Sequence, residues 1–185
     1  MKRGIILKAI TVIKKLDAQS CTPDFLAKFN RYQEVKRCWR KENGEWRLKD
    51  IPHIAQWNDK EKMKKIAGLR SCISRGGVVL GAFVDNDLIG FASVGNRFFG
   101  AGGEYLRLEM LHVSYEHRRT GIGKMLFHEI CSEAKALGAK KLYITAHSSE
   151  ETQAFYKSVG CTEATEVIGA LLEEEPIDCH LEYCL

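Results

Sequence analysis

The chain has 185 residues, of which 45% are apolar and 28% charged, with a formal net charge of +4; that is the size and mix of one soluble domain. Three prolines and 16 glycines exclude a disordered or collagen-like chain, and no stretch approaches the roughly 18 consecutive apolar residues of a membrane span. The charge divides unevenly, with 19 lysines and arginines against 8 acidic residues over 1–75 and 9 against 16 over 76–185, so the basic half either forms one solvated face or meets phosphates or acidic partners.

Residues 11–16 read as a first strand. Thr22, Pro23 and Asp24 start a helix, as N-cap, first helical position and an acid at the positive end of the dipole; it is predicted to end near Arg31. Residues 35–49 read as a hairpin turned at Glu42-Asn43-Gly44, with Trp39 and Trp46 on its arms. Asn58 with Glu61 marks another helix start, continued by Met63, Ile66, Ala67 and Ile73 and closed by Gly76 and Gly77. Residues 78–84 and 88–94 form a second hairpin around Asp85, Asn86 and Asp87. A glycine-rich loop at 98–103 leads into a strand over 105–113. Ile122, Met125, Leu126, Ile130, Ala134 and Leu137 then recur at helical spacing up to Gly138. Residues 141–145 read as a strand, Ser148 with Glu151 as a capping box for a helix through Ser158, and 161–168 and 179–185 as final strands around an acidic run at 173–176. Helices interleave with strands, so the fold class is α/β, with a mixed sheet and crossover connections.

The opening residues 1–8 turn charged too soon for a signal peptide, and a cytoplasmic protein with no membrane partner is expected. Seven cysteines, an odd number without CxxC or Cys–His zinc spacing, read as buried reduced thiols. Five of the histidines, His53, His117, His128, His147 and His180, lie too scattered for a metal site.

The stretch 111–124 carries the chemistry. A strand ends, a basic turn follows, and Gly121 and Gly123 open a helix. The first turn of a helix leaves about four backbone N–H groups without partners at the positive end of the dipole. Glycines let a ligand approach them, and Arg118, Arg119 and Lys124 add formal charge. Such a site suits a pyrophosphate. It is not a Walker A loop, since Met125 stands in place of Ser or Thr, and the third glycine of a dinucleotide fingerprint is missing.

Arg118-x-x-Gly121-x-Gly123 resembles the acyl-CoA signature of the GNAT superfamily of N-acetyltransferases, Arg/Gln-x-x-Gly-x-Gly/Ala. Residues 149–161 resemble its second motif, with Ser149 in the Asn slot, Thr152 in the Ala slot, Phe155-Tyr156 in register and Cys161 in place of an aromatic. The likeness is good over 78–185 and holds only in element order over 1–75. It implies a GNAT-like acyl-CoA N-acyltransferase fold, a mixed central sheet with a splayed strand pair flanked by helices. One N-acetyltransferase domain over 1–185 is implied, with the tryptophan-bearing hairpin at about 35–49 as an addition. Acetyl-CoA is the implied cosubstrate, without a metal. Leu111, His112 and Val113 would pair with its pantetheine arm like an added strand. Arg118, Arg119, Thr120, Gly121, Ile122, Gly123 and Lys124 would hold the pyrophosphate, and Ser149 and Phe155 complete the cofactor-binding set.

The implied reaction is direct attack of a primary amine on the thioester. The amine must lose a proton, its ammonium pKa being about 10.4; the departing thiolate, of pKa about 8.5 in the cysteine analogue, benefits from gaining one. Tyr156 occupies the family's position for the acid. Glu109, on the strand before the signature, is the candidate base and His112 its rival; the Val113 N–H is the candidate oxyanion donor. Strand alternation puts Arg107, Glu109, Leu111 and Val113 on one face and Met110 and His112 on the other, unless a bulge intervenes. A Glu109–Arg107 surface pair is the bland alternative, as simple packing is for Tyr156 and His112.

The acceptor, a small-molecule or peptide amine, would enter beside 22–34, 59–75, 96–104 and 169–177. Glu173, Glu174 and Glu175 favour a cationic acceptor unless they are merely solvated. Trp39, Trp46, Phe98 and Phe99 offer an aromatic wall, or hairpin packing, or the face of a homodimer. No nucleic-acid motif is present. Two other functions remain open: a CoA-binding regulatory module with little catalysis, and a basic interaction protein acting through residues 1–75.

Overall fold

The computed structural model describes residues 11–185; the charged opening 1–8 lies outside the described residues. Two hairpins show how local chemistry sets register. β2 (Gln33–Glu42) and β3 (Glu45–Ala55) turn on Asn43 and Gly44 at φ +53° and +86°, the left-handed pair that a two-residue hairpin loop requires. β4 (Val78–Val84) and β5 (Asp87–Val94) turn on Asp85 and Asn86 at φ +49° and +68°. The first hairpin is several residues longer than the predicted 35–49 and forms a two-stranded sheet of its own.

The main sheet also contains β1 (Val12–Lys15), β6 (Tyr105–Val113), β7 (Lys141–Ala146), β8 (Thr162–Glu163) and β9 (Cys179–Cys184), in the order β1-β4-β5-β6-β7-β9-β8. Among the described residues only the β6–β7 pair is parallel. The crossover between them is α2 (Ile122–Ala136), as a parallel connection requires. α1 (Asp59–Ser74) starts on the expected capping box, Asn58 and Glu61 each accepting from the other's backbone N–H. α3 (Glu150–Ser158) and the six-residue α4 (Gly169–Glu174) precede β8 and β9 respectively. Among the described residues no helix is long and apolar enough to cross a membrane.

Two expectations need correction. Residues 22–29 make successive i→i+3 turns, not a helix; Phe25, Ala27 and Phe29 donate to Thr22, Asp24 and Leu26. Cys21, Leu26 and Phe29 are pinned beneath α1 with Ile66, Leu69 and Cys72, so packing decides where the start signals do not. Residues 161–168 yield only the two-residue β8, because Ala164 onward turns away to pack on Tyr105 and Tyr143. The acidic run at 173–176 is partly helical in α4.

One cluster lies under α2, where Leu126, Phe127, Ile130 and Ala134 meet Leu106, Leu108, Leu142 and Ile144; the other lies under α1 on the opposite face. Phe127 is fully buried and meets Phe155, Tyr156 and Tyr183 edge-on. Phe127→Ala is expected to cost about 3–5 kcal/mol, through lost transfer energy and the cavity left behind. Urea unfolding checks this; a loss below 1 kcal/mol would show that the site collapses around the smaller side chain.

Part of the uneven charge is met within the molecule. Arg37 grips Glu150 with two hydrogen bonds, Lys41 and the Trp46 indole reach Glu163, and Lys15, Lys28 and Arg75 pair with Glu133, Asp87 and Glu109. With the Trp39 N–H donating to the Ser148 carbonyl at 2.8 Å, the contacts of Arg37, Lys41 and Trp46 orient the first hairpin on the carboxyl-terminal half. Exposed pairs of this kind contribute little stability individually.

Candidate active site

β6 and β7 pair only from Tyr105 to Leu108 against Lys141 to Ile144, and then part. The cause is an extra residue in β6. Ser93 pairs with Met110 and Val94 with Leu108, which leaves Glu109 unpaired as a bulge, and a bulge bends its strand. It also changes the faces. Leu108 before it and Leu111 and Val113 after it all pack toward α2, while Met110 packs beneath α1. The alternation expected above is therefore broken at its most informative point. Glu109 leans toward the end of α1, where it pairs with Arg75 at 3.3 Å rather than with Arg107. Gly95 makes room for it, since a Cβ there would meet the Glu109 Oε1 at 2.9 Å.

The opening between the strands leads into a cleft of about 890 Å³. Its lining includes Leu111, His112 and Val113, then Arg118, Arg119, Gly121, Gly123 and Lys124 from the turn and start of α2, and Phe155 and Tyr156 from α3. Arg119 has φ +62° and Gly121 φ +92°. This left-handed backbone before a helix curls successive N–H groups toward one concavity, which suits an anion. A non-glycine residue held at positive φ stores strain of about 1–3 kcal/mol. The residues present thus fit a diphosphate. Arg118 spends its Nε on the Val113 carbonyl at 3.0 Å, bracing the end of β6 against the turn. Thr120 and Ile122 are outside the lining: the Thr120 hydroxyl donates to the His117 carbonyl and Ile122 is in the core. They bring backbone N–H groups alone.

Ser149 departs from its expected place in the cofactor set. It is 1% exposed, caps α3 by accepting from the Thr152 N–H, and donates to the Thr152 hydroxyl at 2.8 Å. The cap is one residue beyond the predicted Ser148, which instead accepts from Arg40.

Tyr156 lies against the cleft at 7% exposure. Its hydroxyl takes no hydrogen bond among the described residues, and burial pushes its pKa up, so it remains a proton donor across the ordinary pH range. His112 is edge-on to Trp57 at 4.7 Å and tilted on Phe91 at 5.3 Å. Burial, then Arg31, Lys65 and Arg118, hold its pKa well below 6.5, so it is neutral at pH 7.

The acetyltransferase (GNAT) family profile matches residues 31–161. The chain belongs to the GNAT acetyltransferase family. A comparison with curated proteins finds no match. Among solved structures, nourseothricin acetyltransferase superposes with a TM-score of 0.70 at 16% identity, over 94% of this chain and 98% of that one. A protein from Bacillus anthracis assigned as a streptothricin acetyltransferase, solved with acetyl coenzyme A, gives 0.71 at 14% identity, over 95% and 99%. The PaiA N-acetyltransferase of Thermoplasma acidophilum, solved with coenzyme A, gives 0.60 at 19%, over 95% and 99%. At such identities the likeness is one of fold.

Several residues of this GNAT cleft were not singled out by sequence. Trp57, not Trp39, Trp46, Phe98 or Phe99, is its aromatic wall. Trp39 and Trp46 pack on the α2 cluster, and Phe99 stacks on Tyr105. The loop at 96–104 contributes nothing to the lining, and Glu174 and Glu175 are both held by Arg107 at 3.0 Å. Asp178 shares the cleft with Tyr156 and is pushed up to about 6 by burial, then by Glu175. A lone Asp between an acidic run and a strand gives no sequence signal. An NMR titration is expected to place the Asp178 midpoint near 6. The folded pKa lies above the reference 3.8, so this group's stabilisation is full below that value and is lost as pH rises through about 6. Asp178→Asn should flatten that part of the stability profile; an unchanged profile refutes the assignment.

Proposed function

We propose that the described chain works as one acetyltransferase domain, moving the acetyl group of acetyl-CoA to a primary amine by direct attack in a ternary complex. The observation that carries this reading is the parted strand pair opening onto the curled N–H groups before α2, with Tyr156 on the same cleft. The thioester, once bound, supplies an activated acyl carbon. Leu111, His112 and Val113 offer it the unpaired edge of β6, and the N–H groups of residues 119–124 hold its diphosphate. Gly123 and Phe155 bound its path, a Cβ at 123 lying 3.2 Å from the Phe155 ring.

The balance is simple. A C–N bond forms, the C–S bond breaks, the amine yields one proton and the thiolate takes one. Glu109 receives the amine's proton, its carboxylate set at the bulge and steadied by Arg75. Tyr156 gives its proton to the thiolate, and Asp178 in the same cleft is the group placed to reload it. The Val113 N–H faces the oxyanion. His112, neutral and boxed in by aromatic rings, is a wall of the site.

The acidic run at 173–175 is a weak argument for a cationic acceptor, because Arg107 neutralises two of its three carboxylates. The test is CoA release from acetyl-CoA across a panel of primary amines, with calorimetry of acetyl-CoA alone. Release above the amine-free background is expected. Heat without release would indicate a CoA-binding regulatory module; neither heat nor release would sink the reading.

A further inference from the structure

Arg31 carries a charge that the protein itself does not answer. Its Nε and Nη1 are buried and take no hydrogen-bond partner among the described residues. Three of the carboxylates that line its cleft are engaged elsewhere, Glu109 with Arg75, Glu175 with Arg107 and Glu151 with Arg119, and the fourth, Asp178, makes no ion pair with Arg31. A guanidinium taken out of water without an anion is costly, and its flat fork matches a carboxylate with two parallel hydrogen bonds.

Its position is built. Asn30 donates its backbone N–H to the Ser114 hydroxyl oxygen at 3.0 Å and its Nδ2 to Glu116 at 2.6 Å, and its carbonyl accepts from the Tyr115 N–H at 2.9 Å. Tyr32 is edge-on to Tyr115. Residues 30–32 are thus clamped to the turn after β6. Arg31 lies over the Trp57 ring at 5.6 Å, and Lys65 of α1 lies over the same ring at 5.5 Å. Trp57 packs with Phe29, Phe91 and His112 in the α1 layer, the face of the sheet opposite α2.

We propose that Arg31 and Lys65, gathered on Trp57 at the α1 side of the cleft, bind a carboxylate of the acetyl acceptor. The acceptor class is then an amine that also carries an acid, such as an amino acid, with Trp57 covering the apolar stem between the two groups. The inference rests on the acetyltransferase reading. Arg31 and Lys65 meet on Trp57 in the α1 layer, whereas the N–H groups that suit the diphosphate lie at the start of α2. Burial, then Arg118, lower the Arg31 pKa to about 10, and burial, then Arg31, Lys65 and Arg118, keep His112 neutral, as a desolvated pocket rich in positive charge would.

The test compares amines that differ only by the acid: lysine against cadaverine, and phenylalanine against phenethylamine. The acid-bearing member is expected to have a kcat/KM roughly 10- to 100-fold higher, the worth of a hydrogen-bonded charge. Arg31→Met should erase that advantage through the acceptor KM and leave the acetyl-CoA KM unmoved. The proposal fails if the pairs are used equally, if the preference survives Arg31→Met, or if the acetyl-CoA KM rises instead, which would give Arg31 to the cosubstrate. If Arg31→Met does not fold, Lys65→Met decides, with a preference reduced by about threefold expected and an unchanged ratio refuting. Acetyl-CoA heat without turnover of either acid-bearing amine also overturns it. Absence of that heat defeats the acetyltransferase reading itself.

Discussion

Gly123→Val is expected to raise the dissociation constant for CoA by about 100-fold or more while leaving the fold in place. Gly123 is the second residue of α2, where the helix still has unpaired N–H groups. A single Cβ there would meet the Phe155 ring at 3.2 Å and Val113 Cγ2 at 3.7 Å. Valine adds two methyls in the gap between the end of β6 and α3, in front of those N–H groups. Hydrogen bonds to a charged group contribute about 1.5–3 kcal/mol each, so losing two corresponds to a factor of roughly 100 or more. Gly121→Ala makes the useful contrast. Nothing lies within 4 Å of its Cβ, but φ is +92°. Its cost therefore falls on the backbone, about 1–2 kcal/mol of stability, with a smaller change in affinity. Calorimetry with CoA and thermal unfolding separate the two effects. A Gly123→Val dissociation constant within a few-fold of the parent would move the diphosphate away from the start of α2.

What the chain disclosed in advance follows the range of each signal. The capping box at Asn58 and Glu61, the turns at Asn43 and Asp85, and the apolar spacing of α2 act within a few residues, and each was legible. The glycines before and within α2 were legible for the same reason. The bulge at Glu109 was not, because it is set by how β6 pairs with β5, and pairing is not written in either strand alone. Its consequence is chemical: it separates Glu109 from the face of Leu111 and gives it to Arg75. Arg31 and Trp57 were invisible for a related reason. They are 26 residues apart in sequence, flank the first hairpin, and meet only because Asn30 is clamped to the turn after β6. Residues 22–29 show the converse, a helix start signal overridden because Leu26 and Phe29 are needed under α1.

Tyr156→Phe is expected to lower kcat by about 100-fold, the lower end of what a positioned general acid contributes. The lower end applies because a thiolate of pKa about 8.5 leaves unaided more readily than an alkoxide or amide. The hydroxyl has no partner among the described residues, so removing it strands no buried group. The ring keeps its edge-on contacts with Phe127 and Phe155. Stability should therefore stay within about 0.5 kcal/mol, and the acetyl-CoA KM should stay near the parent's. This separation of kcat from both KM and stability is the signature of a group that acts as bonds change. Burial keeps the phenol protonated, so the parent's rate should show no alkaline limb from Tyr156 in the range where the protein is stable. A Phe variant with the parent's kcat would make Tyr156 a packing residue, and solvent would then have to protonate the thiolate. Asp178→Asn distinguishes the routes further. If Asp178 reloads Tyr156, its removal slows the parent and adds little to Tyr156→Phe, because two residues serving one proton path are not additive.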